Sequence, residues 1–367
     1  MERFVMRNGS APIGLAIAVV TCALVSGLGA QGSSDPLRSA LARRIDQNQH
    51  GTGAVVGLLT PEGRSFAVYG RVSIGGPEPT ADTIVEIGSL SKVFTAFLLA
   101  DMVERGDVAL DDLLRKYVPA SVTVPSFRGK DISLVDLATH TSGLPRDSIA
   151  VDLESDRSPY AGYTAEELYA FLARYRLERA PGSKWEYSNI GMGLLGHALA
   201  LRAGVGYEEL LRRRLFDPLG MRDTRITFDA DQAARRATGH NPKLIPVVPW
   251  TGGVIAPAGG FSSTAADMLK FAADLLDSES PRKAVYARMT SVKRQTDERR
   301  LQQTLGWELF RLGANEIIAK SGGTFGFESR LLVDTTRKRA VIAWANGRSG
   351  AGVAELVGAA LDQTRLQ

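Results

Sequence analysis

Ser89 and Lys92 stand three residues apart in the string Ser89-Leu90-Ser91-Lys92 at the head of an apolar run. Two further polar groupings follow at a distance, Tyr187-Ser188-Asn189 and Lys320-Ser321-Gly322. Three positions apart on a helix, a serine and a lysine share a face, close enough for the amine to reach the hydroxyl. A serine hydroxyl is a poor nucleophile until a neighbour takes its proton, and a lysine does so when desolvation or a second positive charge lowers its pKa. Lys320, if the fold brings it close, is that second charge. At a helix N-terminus Ser89 would also meet unpaired backbone N–H groups and the positive end of the helix dipole, which suit an anionic tetrahedral intermediate. The chemistry these residue types point to is acyl transfer.

Each grouping also has an ordinary structural reading. Gly88-Ser89 before an apolar helix is standard capping chemistry, and Lys92 could be a solvated helix residue. Tyr187 and Asn189 could be loop or cap residues after Pro181-Gly182, and Lys320 could close a strand. A Ser-x-x-Lys string alone arises by chance in a chain of this size. Taken together, the structural readings leave the order and residue types of three groupings as coincidence.

Composition narrows the setting. Residues 1–30 carry Arg3 and Arg7, then an apolar stretch from about Pro12 to Leu28 that ends in small residues, the layout of a secretory signal peptide with cleavage near Ala30. Left uncleaved, the same segment would be a single N-terminal membrane anchor. The one cysteine, Cys22, lies inside it and is a poor lipid-attachment site, so the processed chain would have neither disulfides nor thiol chemistry. A periplasmic or secreted protein is expected. The formal charge of +4 is too small to argue for nucleic acid, and Arg212 to Arg214 sit at helical spacing among leucines, as on a solvated helix face. The four histidines are scattered, with no ligand spacing, so neither a metal nor another cofactor is expected. A monomer whose partner is its small-molecule or peptide substrate is the expectation, with membrane contact only through an uncleaved leader.

The elements that must position these groups follow from periodicity. A helix is predicted over about 37–49, then a hairpin from 52–60 and 64–73 around Pro61-Glu62-Gly63. Residues 89–105 carry Val93, Phe94, Phe97, Leu98 and Met102 at helical period and stop before Gly106. From 134 to about 224 the patterns are mostly helical. Residues 241–260 read as a long Pro- and Gly-rich loop carrying the chain back across the surface. A helix over 264–276 precedes strands at 304–310, 316–319, 328–334 and 340–345, and a last helix covers 352–366. Sheet and helix at both ends with helices between predict an α/β (α+β) chain: an antiparallel sheet flanked by helices and formed by both termini (31–130 and 260–367), with an all-helical domain (131–259) inserted.

The three groupings resemble the motif set of the penicillin-recognising serine hydrolases: Ser-x-x-Lys, Tyr-x-Asn and, here, Lys-Ser-Gly for Lys-Thr-Gly. Glu86 to Thr95, His140-Thr141-Ser142-Gly143-Leu144-Pro145, Asp217 to Met221 and Gly259 to Thr264 are similar to the class C β-lactamase branch. The stretch 134–145 resembles the D-alanyl-D-alanine carboxypeptidase/endopeptidases of that branch, and the likeness covers most of residues 45–350. It implies a β-lactamase/transpeptidase-like fold with Ser89 as the acylated nucleophile, Lys92 as its proton acceptor or electrostatic partner, and Tyr187 as base or proton shuttle in deacylation. Asn189 would hold the substrate amide. Lys320 would lower the pKa of Tyr187 and help orient a substrate carboxylate, with Ser321 and Gly322 completing that box and Ser321 supplying the hydroxyl. The N–H groups of Ser89 and Gly323 would form the oxyanion hole. Asn346 and Arg348, after the next strand, fall where relatives hold a carboxylate. No Glu-x-x-Leu-Asn string occurs, which leaves the tyrosine route.

Arg146 stands close to where class C enzymes tend to carry an uncharged amide-bearing residue, which weighs against efficient β-lactam hydrolysis. Lysine at 320 favours a substrate with a carboxylate over a neutral ester. The expected function is therefore a serine hydrolase acting on β-lactams or D-alanyl-D-alanine peptides. The alternatives are a carboxylesterase of the same fold, or a penicillin-binding sensor without turnover. An α/β-hydrolase lipase is disfavoured because Gly-x-Ser-x-Gly is absent.

Overall fold

The computed structural model describes residues 36–151 and 158–363, with side chains through 361. The leader segment with its Cys22 and residues 31–35 lie outside the described residues; Gln31 to Pro36 reads from sequence as a short polar linker, and Pro36 already begins the first helix. The described residues form one compact unit.

An eight-stranded antiparallel sheet organises the molecule. Its strands are β1 (Gly53–Thr60), β2 (Gly63–Gly70), β5 (Arg294–Gln295), β6 (Gln302–Gln303), β7 (Glu308–Leu312), β8 (Asn315–Gly323), β9 (Glu328–Asp334) and β10 (Arg339–Ala345). The order is β2-β1-β10-β9-β8-β7-β6-β5, so the first hairpin pairs with the last strand and both ends of the chain build one sheet. Two short strands, β3 (Val85–Glu86) and β4 (Ser262–Ser263), pair separately.

Period-two alternation divides the buried residues of this sheet between two layers. On one face Ala54, Val56 and Leu58 of β1, with Val341 and Ala343 of β10, pack under α1 (Pro36–Ala42) and α11 (Ala354–Gln363). On the other, Val55, Leu331, Val333, Ile342 and Trp344 face the helical layer. That layer contains α2 (Ser91–Glu104), α3 (Leu134–Ala138), α4 (Ala165–Arg174), α5 (Asn189–Ala203), α6 (Tyr207–Leu211), α7 (Asp217–Leu219), α8 (Ala230–Ala234), α9 (Ala265–Leu276) and α10 (Lys283–Ser291). No strand occurs among the described residues of 131–259.

The fold depends most on α2. Its sequence suggests one apolar stripe, yet every residue from Ser91 to Met102 is buried, so the helix is enclosed on all sides. Phe94 meets Phe216, Phe261 and Phe271 edge-on at ring separations of 5.0, 5.8 and 5.4 Å. A helix fixed this way gives its first turn little freedom to move.

Three sequence expectations change. Residues 241–260 do not simply cross the surface: Gly253–Ala258 forms a 3-10 turn whose Ile255, Ala256, Pro257 and Ala258 are buried against α5. The approach is so close that a Cβ on Gly196 would stand 2.3 Å from Pro257. Of the strand expected over 304–310 only 308–310 forms, as the start of β7; residues 304–307 are the turn between β6 and β7, where Thr304 N–H donates to Trp307 O. The strand expected over 316–319 extends to Gly323, carrying the Lys-Ser-Gly string with it.

Candidate active site

Ser89 does not lie in the α-helix proper. It occupies a 3-10 turn, Gly88–Leu90, that leads into α2, with Gly88 at a left-handed φ of +50°. The turn is anchored from both sides: Ile87 N–H donates to Phe261 O at 3.1 Å and Phe261 N–H donates to Ser91 Oγ at 3.1 Å. Ser89 itself is half-buried, which leaves its hydroxyl open to the cleft.

Lys92, one helical turn on, is fully buried, and each of its three N–H bonds has an acceptor. Its Nζ lies 3.0 Å from Ser89 Oγ, 2.8 Å from Asn189 Oδ1 and 2.5 Å from Ala258 O. The last contact is the reason the buried 3-10 turn matters here. Taking an ammonium out of water costs several kcal/mol, which these charge-assisted bonds offset in part. Burial, followed by the charge of Lys320, pulls the Lys92 pKa down to about 8 although the nearby phenol of Tyr187 acts the other way.

Tyr187 and Asn189 flank Ser188, which caps α5 by accepting from Gly191 N–H at 2.8 Å. Its neighbours are thereby held at the mouth of that helix. Tyr187 OH lies 2.7 Å from Ser89 Oγ, and three cations surround its ring: Lys92 at 4.9 Å, Arg146 at 4.9 Å and Lys320 at 5.1 Å. Burial alone would raise the phenol, but Lys92, Lys320 and the hydrogen bonds outweigh it and bring the pKa to about 8. His140 packs against this ring at 4.5 Å and accepts from Ser188 N–H through Nδ1. Burial and the same cations hold its pKa well below 6.5. The imidazole is therefore neutral near physiological pH and makes no contact with Ser89 that would let it take the proton.

The opposite wall is the end of β8. Strand β7 pairs β8 only as far as Ala319, so from Lys320 onward that edge of β8 is unpaired. Thr324 N–H bonds back to Phe327 of the β9 side, and ladder alternation then turns the Gly323 N–H outward, away from β9. The strand end lies tight against the Ser89 turn: a Cβ on Gly322 would fall 1.9 Å from Ile87 O, and one on Gly88 would fall 2.6 Å from Gly323 N. Lys320 is 2% exposed, with Nζ 3.1 Å from Glu308 Oε1. Burial works against its charge, but Glu308 and Tyr187 more than compensate and its pKa is raised.

The structure thus brings Ser89, Lys92, Tyr187, Asn189, Lys320, Gly322 and Gly323 around one cleft. Ser321 is at its edge, its Oγ accepting from Arg330 Nη1 at 2.9 Å. Arg348 reaches the same strand end, donating to Thr324 O at 2.6 Å. Asn346 is not brought there: it is fully buried, Oδ1 accepts from Thr52 and Gly53 N–H, and Nδ2 donates to Thr52 Oγ1, Arg71 O and Val72 O. Its side chain joins β10 to the first hairpin and has no capacity left for a ligand. Three neighbours were not singled out from sequence, Asp147, Glu308 and Arg330. Only Asp147 had a local signal, its place directly after the Leu144-Pro145-Arg146 string.

Chemically, this is a hydroxyl with two adjacent titratable donors, an open strand edge with outward N–H groups, and cations along one wall. Among the described residues no group of histidine, cysteine, aspartate or glutamate could hold a metal ion.

The sequence model of the beta-lactamase family matches residues 38–364. The D-alanyl-D-alanine-carboxypeptidase/endopeptidase AmpH of Escherichia coli (strain K12) is 34% identical over 279 residues, covering 72% of this chain and 70% of that protein. A class C beta lactamase from Rhodobacter sphaeroides superposes with a TM-score of 0.77 at 25% identity, over 90% of this chain and 100% of that one. The D-alanine carboxypeptidase AmpC from Burkholderia cenocepacia gives 0.74 at 27% identity, over 91% and 99%.

Proposed function

The chain belongs to the beta-lactamase family and is a serine hydrolase, and we propose that it works through an acyl-enzyme at Ser89 on the amide of β-lactams or of D-alanyl-D-alanine peptides. What carries this reading is one oxygen: Ser89 Oγ, 3.0 Å from a buried lysine and 2.7 Å from a phenol, facing an unpaired strand edge.

In the proposed reaction Ser89 Oγ bonds to the carbonyl carbon while its proton passes to Tyr187 or Lys92. The N–H groups of Ser89 and Gly323 meet the developing oxyanion. The carbon–nitrogen bond then breaks, the held proton goes to the leaving nitrogen, and water releases the acyl group by the same route in reverse. Asn189 keeps one N–H for the substrate amide. Lys320 and Arg348 stand on the side that would take a carboxylate, with Ser321 at its edge, which supports a β-lactam or peptide terminus over a neutral ester.

A periplasmic or secreted location belongs to the same proposal and is supported by the charged-then-apolar layout of residues 1–30. Among the described residues no helix is long and apolar enough to cross a membrane.

The test is covalent. A fluorescent penicillin is expected to label the purified protein, and Ser89→Ala to abolish the label; labelling that survives the substitution defeats the assignment. Parallel turnover of a chromogenic cephalosporin, a D-alanyl-D-alanine peptide and a p-nitrophenyl ester identifies the substrate class. A preference of about tenfold in kcat/KM corresponds to about 1.4 kcal/mol of transition-state binding.

A further inference from the structure

Asp147 lies on the far side of Asn189 from Lys92. Its Oδ1 accepts from Asn189 Nδ2 at 3.0 Å and from Tyr160 OH at 3.1 Å, and its Oδ2 is 3.6 Å from Arg146 Nε. Tyr160 is a reliable donor in this position: the residue is buried, its ring is packed edge-on against Tyr163 and Trp250, and burial together with Asp147 raises its pKa. Arg146 stands beside the other oxygen.

An ionised carboxylate only accepts, so of the two ends of the Asn189 amide only the NH2 can face it. That choice turns Oδ1 toward Lys92, where it is one of the three acceptors of a buried ammonium. A 180° rotation of the same amide would set NH2 against the ammonium and strip Lys92 of that acceptor. Neither Lys92 nor Ser89 prevents the rotation by shape, since the two ends of an amide are nearly the same size. A charged Lys92 opposes it too, because an ammonium only donates, but once that amine has lost a proton it can accept, and from then on the chemistry at 147 is what prevents the rotation.

We propose that Asp147 is a positioning residue for acylation: by accepting and never donating, it fixes the rotation of the Asn189 amide, which holds Lys92 on Ser89 and leaves one Asn189 N–H for the substrate. The inference rests on Ser89 and Lys92 being the acylating pair. An asparagine at 147 would have almost the same volume but could present either end, so the constraint would be lost with little change in packing.

The test is a double-mutant cycle on the rate of penicillin acylation at Ser89. Asp147→Asn is expected to slow acylation about ten- to a hundredfold, with the loss falling mainly on the limiting rate at saturating penicillin. In an Asn189→Ala background the same substitution is expected to change the rate by less than about twofold, because the group it acts through is gone. A purely structural role would lower both backgrounds alike. Wild-type behaviour of Asp147→Asn, or an undiminished effect in the Asn189→Ala background, overturns the proposal. If Asp147→Asn does not fold, Asp147→Ser is measured in the same two backgrounds, and failure of both to fold makes Asp147 structural and likewise overturns it. A wild-type protein that penicillin never labels defeats the acyl-enzyme reading and this inference with it; a labelled wild type with equal losses in both backgrounds defeats this inference alone.

Discussion

At Ser89 an amine and a phenol approach the same oxygen, and each favours the charged form of the other. Lys92 is lowered to about 8 by burial, and Tyr187 to about 8 by the cations that outweigh its own burial. Removing one proton from the pair creates the base that Ser89 needs, so acylation is the activity of the less protonated form. Its rate is expected to rise tenfold per unit as the pH approaches about 8 from below, and to be about a hundredfold under its plateau at pH 6. The neighbours do not blur this limb: Lys320 stays charged beside Glu308, and His140 stays neutral. Penicillin-labelling rates from about pH 5 to about pH 10 check it, and a flat profile would remove the pair from the role. Ser89, Lys92, Tyr187, Asn189 and Lys320 were legible in the sequence because each belongs to a short string with its own chemistry. Glu308 and Arg330 were not, because each gains meaning only from its neighbour in the sheet, Lys320 in one case and Ser321 in the other. Asn346 was misplaced for a related reason: its position after a strand says nothing of the backbone groups waiting for it at Thr52 and Gly53.

At the level of elements, the site is a contact between a helix-initiating turn and a strand end, with almost no space between them. Ile87 O accepts from Ser329 Oγ at 3.0 Å and stands where a side chain on Gly322 would have to go. Gly322→Ala is therefore expected to push the end of β8 off the Ser89 turn, lowering stability by about 1–3 kcal/mol and slowing acylation at least about tenfold through the displaced Gly323 N–H. Denaturant melts and labelling rates check both effects, and wild-type values in both would show that the contact is slack. Helix α2 could be read from its apolar period and its stop at Gly106. The turn at 253–258 could not be placed: Pro and Gly signal that the backbone bends, whereas its burial comes from the small residues of α5, far away in sequence. Thr304 to Phe310 reads as one strand because its apolar pattern outweighs the single turn signal, Gly306, whose φ of +74° makes the turn between β6 and β7.

Across the whole molecule, the π-helical turn Arg43–Gln47 that follows α1 is tied to β9 and α11 by one side chain. Arg44, 1% exposed, forms an ion pair with Glu328 at 2.7 Å, pairs with Glu355 and donates to Gly352 O at 2.7 Å. Arg44→Ala would leave Glu328 buried without its countercharge, although Ser349 Oγ and Gly350 N–H still donate to it. The expected loss is about 3–5 kcal/mol in a denaturant melt, with penicillin acylation of the folded fraction unchanged, since the ion pair lies on the face of the sheet away from Ser89. A loss below about 1 kcal/mol would mean that the carboxylate is not isolated from water. That both ends of the chain would share a sheet could be inferred from the pattern of strands around a helical middle. The pairing of Ala54 with Ala345 could not, because periodicity gives the face of a strand and not its partner.

The distance along the chain between partners has a consequence for biosynthesis. Ile87 and Ser329 meet across 242 residues, and Thr52 meets Asn346 across 294. During translation the nucleophile leaves the ribosome long before the strand that completes its cleft, and the first hairpin waits longer still for its neighbour. A nascent chain thus carries the serine and lysine together but has no wall on which to hold a substrate, so the hydrolase stays latent until the last strands are synthesised and the sheet closes.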